Sequence, residues 1–290
     1  MSAYVQLLDA AIRDLGGRKA AGESFVVVAP DALKALAVPV PRSQPPAATP
    51  MAQPRPAVAA LRPAPAVAPV HSPAARVPTT EKSVAFAELR ARVLACVKCS
   101  QLVATRQSVV FGVGSLDAQL LFVGEAPGAD EDRLGEPFVG AAGQLLTKII
   151  TAMGQTRDTV FIANVLKCRP NPPPGELDNR TPRPDEMATC LPYLREQIQL
   201  IQPRVIVALG GTAVEGLFSM SDAQITRRRG NWMDFLGTPV MPTFHPSYVL
   251  RQETGPEQGR ATKRQVWEDM LQVMERLALP ISEKQRGYFK

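Results

Sequence analysis

The chain has 290 residues, enough for one large domain or for one domain with appendages. Its 33 Lys and Arg against 27 Asp and Glu give a net charge of +6 and a pI near 9.3, a mild basic excess that suits a polyanionic partner without identifying one. No apolar run approaches the length of a membrane span, and the N-terminus Met1-Ser-Ala-Tyr-Val-Gln-Leu-Leu-Asp lacks the basic region and apolar core of a secretory signal, so a cytoplasmic protein is expected, not a membrane or secreted one.

In chain order, Tyr4 to Leu15 places Val5, Leu8, Ala11, Ile12 and Leu15 at helical spacing, ended by Gly16-Gly17. Residues 1–38 read as a small N-terminal segment of unknown role, open to a protein partner. Residues 39–80 are rich in Pro and Ala, carry Arg42, Arg55, Arg62 and Arg76 with no acid, and lack large periodic apolar residues. Such a stretch cannot bury enough surface to offset its ordering entropy, which predicts a disordered linker. A folded domain is expected over 81–290.

That domain opens with a predicted helix, Ser83 to Cys96, running into Cys96-Val-Lys-Cys99. An apolar strand ending Leu120 to Val123 feeds Gly124-Glu125-Ala126-Pro127-Gly128, then Asp130, Glu131 and Asp132, then Pro137-Phe138, a small-residue turn Gly140 to Gly143, and a helix from Gln144 to about Met153. Thr159 to Cys168 reads as a second strand carrying Asn164, followed by a Pro/Asn/Gly loop over Arg169 to Pro184. Asp185 is the predicted cap of the next helix, which carries Cys190. Pro203 to Gly210 is a third buried strand and Gly211 to Phe218 a short helix. Arg227-Arg-Arg229 precedes two short strands, and the second leads into a loop His245-Pro-Ser-Tyr-Val-Leu-Arg251. A final amphipathic helix over about Gln258 to Leu277 closes the domain. Strands alternating with helices predict an α/β fold, a three-layer α/β/α sandwich around a short, mostly parallel sheet.

Several positions ask for more than packing. The loop after the first core strand sits where open α/β sheets place ligands. Gly124 would let backbone approach a ligand and Phe138 could stack on a flat one, although an ordinary acidic connection has the same composition. Asn164 interrupts an apolar run, either as a satisfied buried amide or as a reader of a pyrimidine edge, since a carboxamide offers both donor and acceptor. Cys96, Cys99, Cys168 and Cys190 are all the cysteines there are. In a reducing compartment they read as structural zinc, as an iron–sulfur site or as unliganded thiols.

Gly-Glu-Ala-Pro-Gly followed by Glu-Asp and Pro-Phe-Val-Gly-x-Ala-Gly-x-Leu-Leu closely resembles the first active-site motif of the family 4 uracil-DNA glycosylases, iron–sulfur members of the uracil-DNA glycosylase superfamily. The Asn-Val-x-Lys-Cys-Arg-Pro stretch, His-Pro-Ser-x-x-Leu-Arg and the four cysteines are similar to that family's pattern too, and the resemblance spans about residues 85 to 278. It implies a DNA-repair hydrolase that excises uracil from single- or double-stranded DNA, working as a monomer at the bacterial nucleoid. It implies a [4Fe-4S] cluster on Cys96, Cys99, Cys168 and Cys190 in preference to zinc, and a uracil pocket in which Gly124 and Phe138 approach the base and Asn164 reads it. His245 would bond the uracil O2. Tyr248, Val249 and Leu250 would fill the hole left by the flipped base, and Arg251 would contact phosphate. Family 1 relatives have an aspartate where this chain has Ala126, so Glu125 and Glu131 become the candidates for positioning water. The segment Asn171 to Asn179 reads as an insert relative to the family. The chain lacks the Arg-Arg-Ile-His loop of the covalently uracil-binding relatives. Two rival readings remain on the residues alone: a metal-stabilised nucleic-acid-binding module without catalysis, and a small-molecule N-ribohydrolase, the latter disfavoured by Arg227 to Arg229 and the wedge-like loop.

Overall fold

A computed structural model describes residues 79–172, 179–253 and 255–289. The expectations for segments 1–38 and 39–80 lie outside these residues, apart from Thr79 and Thr80, which open the first helix.

Helix α1, Thr79–Leu94, leads to the first cysteine pair and a single turn α2, Ser100–Val103. A two-residue strand β1, Val113–Gly114, precedes β2, Leu120–Gly124, every residue of which is buried. Two helices follow, α3 over Ala129–Leu134 and α4 over Ala141–Ala152, then β3 over Phe161–Asn164. The long α5, Pro184–Ile201, returns the chain to β4, Val205–Leu209, and α6, Gly211–Phe218. One turn α7, Ile225–Arg228, precedes the hairpin β5, Met233–Phe235, and β6, Thr238–Thr243. Helices α8, Pro246–Gln252, α9, Pro256–Arg276, and α10, Glu283–Arg286, complete the domain.

The sheet order is β1-β3-β2-β4-β6-β5. Its four central strands are parallel and only the edges β1 and β5 run antiparallel. The side-chain period of two sends alternate residues to opposite layers. Leu121, Val123, Ile206 and Ala208 pack with Leu191, Leu194 and Ile198 of α5 and Val214 and Leu217 of α6. Leu120, Phe122, Val205 and Val207 pack with Leu146 and Ile150 of α4 and Val266, Met270 and Val273 of α9. The expected three-layer α/β/α sandwich is therefore present. In addition, α1 lies against α5 through Leu89, Val93 and Tyr193.

Four local expectations change. Gly140 to Gly143 is not a turn ahead of a helix: α4 already begins at Ala141, with Gly140 as its N-cap and Gly143 inside its first turn. A Cβ on Gly143 would come 1.9 Å from the Phe138 carbonyl oxygen. The acidic stretch after Gly128 is helical, with Asp130, Glu131 and Asp132 in a first turn that favours negative charge. The second strand ends at Asn164, so Cys168 lies four residues beyond it, in a buried connection. Helix α5 starts at Pro184 with Arg183 as N-cap; Glu186, not Asp185, turns back to accept the Arg183 N–H at 2.8 Å.

Candidate active site

The parallel strands β3, β2, β4 and β6 all end on one side of the sheet. The chain runs from β2 outward to β3, then crosses back to β4 on the other flank of β2, which makes the carboxyl ends of β2 and β4 the switch point where α/β folds bind ligands. One open pocket lies there, lined by Glu125 after β2, Asn164 at the end of β3, Gly210 and Thr212 after β4, and His245 after β6. Glu131, Phe138, Tyr248 and Arg251 line it as well.

Phe138 sits on the α3–α4 connection with φ +56°, a left-handed conformation that an aromatic residue adopts only under external restraint. Its ring lies 5.6 Å from the His245 ring at a 34° tilt. It also lies over Gly124, where an added Cβ would come 2.5 Å from Phe138 Cζ and 2.4 Å from Asn164 Oδ1. Gly124 therefore makes room for these two side chains; it does not line the pocket itself.

Asn164 is 2 % exposed. Its backbone carbonyl accepts from the buried Lys167 Nζ at 2.9 Å, and Gln197 Oε1 holds the same ammonium at 2.6 Å. The side-chain Oδ1 is buried with no hydrogen-bond partner among the described residues. A buried carbonyl oxygen without a donor is destabilising by roughly 1–3 kcal/mol, so a native structure that retains one has a use for it. It stands at the pocket, where a ligand N–H can complete it.

His245 is not in a loop but is the N-cap of α8, whose Pro246 is pre-shaped for the first helical position. The Ser247 backbone N–H donates to His245 Nδ1 at 3.1 Å, and Ser247 Oγ lies 2.7 Å from the same atom. Burial, with the Arg251 charge nearby, pulls the imidazole down to about 4. The ring is therefore neutral at physiological pH and carries its proton on Nε2.

The two candidate glutamates differ. Glu131 Oε2 accepts from Gly128 N at 3.0 Å, and Oε1 accepts from Val139 N at 2.9 Å and Gly140 N at 3.1 Å, so this carboxylate ties the loop around Phe138 together. Burial raises Glu125 above the ordinary carboxylic range, opposed by a hydrogen bond from Thr212 and reinforced by Glu215.

Of the expected wedge, Val249 is 2 % exposed and packs with Val266 and Trp267, so it belongs to the core. Tyr248 lies against Phe244 with ring centroids 4.8 Å apart. Leu250 is half-buried like Tyr248, and Arg251 is exposed, its Nη1 reaching Ser247 Oγ at 3.3 Å. The basic run is divided: Arg229 points inward onto Asp269, Nη2 to Oδ1 at 2.6 Å and Nε to Oδ2 at 3.1 Å, while Arg227 stays exposed. Thr243 Oγ1 donates to the same Asp269 at 2.6 Å, which fixes the end of β6 two residues before His245.

Away from this pocket, Cys96, Cys99, Cys168 and Cys190 line a single small cavity with Val93, Leu102 and Leu166. Arg106 Nη1 donates to Cys168 Sγ at 3.0 Å, and the Lys167 backbone N–H donates to Cys190 Sγ at 3.3 Å. Burial pushes the Cys190 thiol up to about 11. Among the described residues no three His, Cys, Asp or Glu side chains converge closely enough to hold one metal ion. Four thiols line one cavity, with N–H groups donating to two of the sulfurs, a donor set suited to a thiolate-held metal group.

Two residues that the sequence reading passed over matter here. Ser247 fixes the histidine tautomer, and its signal was the His-x-Ser spacing ahead of a helix. Arg157 bonds the Phe138 and Pro137 carbonyls from the α4–β3 connection, and nothing in its local sequence marks it.

Residues 111–271 match the family model of the Uracil DNA glycosylase superfamily. The chain is 48 % identical over 164 residues to a type-4 uracil-DNA glycosylase of Thermotoga maritima, covering 56 % of this chain and 82 % of the relative. It is 42 % identical over 165 residues to a type-4 uracil-DNA glycosylase of Archaeoglobus fulgidus, covering 54 % of this chain and 79 % of that protein. Pyrobaculum aerophilum supplies a contrast: its type-4 uracil-DNA glycosylase is 41 % identical over 168 residues, covering 54 % of this chain and 80 % of the relative, whereas its type-5 enzyme is 28 % identical over 195 residues, covering 57 % and 83 %. No described helix is long and apolar enough to cross a membrane.

Proposed function

Since this chain belongs to the uracil-DNA glycosylase superfamily, in its type-4 branch, we propose that it hydrolyses the N-glycosidic bond of uracil in DNA and leaves an abasic site for repair. The observation that carries this reading is the meeting of three groups at the carboxyl ends of the parallel strands: the Phe138 ring, the unpartnered Asn164 Oδ1 and the neutral His245. Together they offer a stacking face, a pyrimidine-edge reader and a donor for developing charge.

A base inside a duplex cannot reach this pocket, so the nucleotide has to be extruded. The flipped uracil stacks on Phe138. Asn164 Oδ1 accepts its N3–H and the amide NH₂ donates to O4. As the bond between N1 and C1′ lengthens, the electron pair moves onto the base and negative charge gathers on O2, while the sugar becomes oxocarbenium-like. The Nε2–H of His245 donates to that O2. A neutral donor placed before the reaction stabilises the charge without transferring its own proton. Water adds to C1′, its proton leaves to solvent or to a nearby carboxylate, and the uracil anion departs. Glu125, half-buried at the pocket wall beside Thr212, is the residue that positions the water; Glu131, occupied by three backbone N–H groups, orders the loop.

Leu250 and Arg251 face the DNA, with Tyr248 supporting them from Phe244. Cys96, Cys99, Cys168 and Cys190 would hold a [4Fe-4S] cluster. Held there, such a cluster would cross-link the α1–α2 connection, the β3–α5 connection and α5 and take no part in the hydrolysis.

The test is release of free uracil from a uracil-containing oligonucleotide by the purified full chain, with the abasic product revealed by alkaline cleavage. Binding of the oligonucleotide without release would instead favour a non-catalytic binding module, and release from uridine but not from DNA would favour a nucleoside hydrolase.

A further inference from the structure

Phe138 holds a backbone conformation that its own side chain disfavours, so something outside residue 138 must maintain it. The peptides on both sides are restrained. On the following side, the Glu131 carboxylate accepts the N–H groups of Val139 and Gly140. Arg157 restrains both peptides, the preceding one through the Pro137 carbonyl and the following one through the Phe138 carbonyl. Its Nη2 donates to the Pro137 carbonyl at 2.8 Å and its Nη1 to the Phe138 carbonyl at 3.2 Å, with Thr147 Oγ1 a further 3.4 Å contact of Nη1. Arg157 lies between α4 and β3, half-buried, and does not line the pocket. Its two terminal nitrogens reach two successive carbonyls, a match of fork to backbone that an ammonium cannot reproduce.

We infer that Arg157 is a positioning residue for uracil excision, acting through the backbone of Phe138 to hold the ring where the flipped base stacks. This rests on the glycosidase reading above. Without the fork, the Pro137-Phe138 peptide can relax toward an ordinary φ, which swings the ring away from Gly124 and the face of the pocket beside Asn164.

The experiment uses the full chain and the variants Arg157→Met, Arg157→Lys, Phe138→Ala and the double variant. Two quantities are measured: the single-turnover rate of uracil excision, and the dissociation constant for the same oligonucleotide with a tetrahydrofuran abasic analogue, which presents no base to stack. Arg157→Met is expected to slow excision about tenfold, the size of one lost charge-assisted hydrogen bond, while abasic-DNA affinity stays within about twofold. Arg157→Lys is expected to recover only part of the rate. In the Phe138→Ala background, adding Arg157→Met should change the rate little, because the group through which Arg157 acts is gone. Unchanged excision by Arg157→Met, equal losses in rate and abasic-DNA affinity, or additive losses in the double variant would each overturn the inference. If Arg157→Met does not fold, Arg157→Lys with and without Phe138→Ala gives the same discrimination. A wild-type chain that releases no uracil at all defeats the glycosidase reading itself, which is a separate outcome.

Discussion

The backbone N–H of Ser247 donates to Nδ1 of His245, and because a peptide N–H can only donate, the neutral imidazole must carry its proton on Nε2. Helix α8 sets this geometry: the histidine is its N-cap, and capping uses the ring nitrogen as the acceptor that Ser or Asp would otherwise supply. The cap therefore selects the tautomer that can donate to a developing oxyanion.

A pH prediction follows from the depressed imidazole. In the unfolded chain a histidine takes up its proton near 6.5, whereas burial holds His245 neutral down to about 4. Between these values the unfolded state binds more protons, so the contribution of His245 to stability is full above about pH 6.5 and declines as pH falls toward 4. The chain's other histidine is His71, in the Pro/Ala-rich stretch, and nitrogen-15 spectra of the His71→Gln protein should show His245 as a neutral Nε2–H ring from pH 8 to below 5. Titration of that ring near 6.5 would remove it as a preorganised neutral donor.

The cysteine cavity makes a compositional prediction. Protein purified without oxygen from iron-replete cells should be brown and carry iron and acid-labile sulfide near four of each per chain. Cys168→Ser removes the sulfur that Arg106 contacts and should lower iron content and solubility together. Stoichiometric zinc in place of iron would assign the site to the simpler metal.

The residues that were legible in the sequence are those whose reasons are local. Leu120 to Val123 and Val205 to Leu209 are unbroken apolar runs and become fully buried parallel strands, as such runs must when helices cover both faces. Asn164 and His245 stood out because each is a polar residue where an apolar or indifferent one would serve. What stayed hidden has tertiary causes. Gly143 looks like a turn former but lies in a helix, and it is glycine there because the Phe138 carbonyl occupies the space a Cβ would need. Val249 looks like part of an exposed wedge, but α8 turns it into the core. Val165 and Leu166 extend an apolar run past the end of the strand because the connection beneath the cysteine cavity is itself buried. Arg157 is one charged residue among several, and only the fold brings its guanidinium to the carbonyls of Pro137 and Phe138.

The sharpest prediction concerns Asn164. Its Oδ1 is buried without a donor, while its backbone is fixed by Lys167 and by pairing of β3 with Gly124 of β2. The side chain is thus held on a rigid strand end with an unmet requirement that the uracil N3–H satisfies. Asn164→Asp preserves shape and removes the amide NH₂ that would donate to O4, placing a carboxylate oxygen against a carbonyl oxygen. Losing a polar contact of this kind in a desolvated site can reduce discrimination by a factor of about 10⁴. Single-turnover uracil excision should collapse, while circular dichroism and iron content stay as in the wild type. Cytosine presents an amino donor where uracil presents O4, and a carboxylate can accept from it, so slow release of cytosine is expected to appear. His245→Ala should behave differently. It removes the donor to O2, an atom common to both pyrimidines, and should slow excision with little change in base preference. Matched oligonucleotides carrying one uracil or one cytosine separate the two variants. If Asn164→Asp excises uracil at close to the wild-type rate, the buried Oδ1 has no part in reading the base and Asn164 serves the strand end alone.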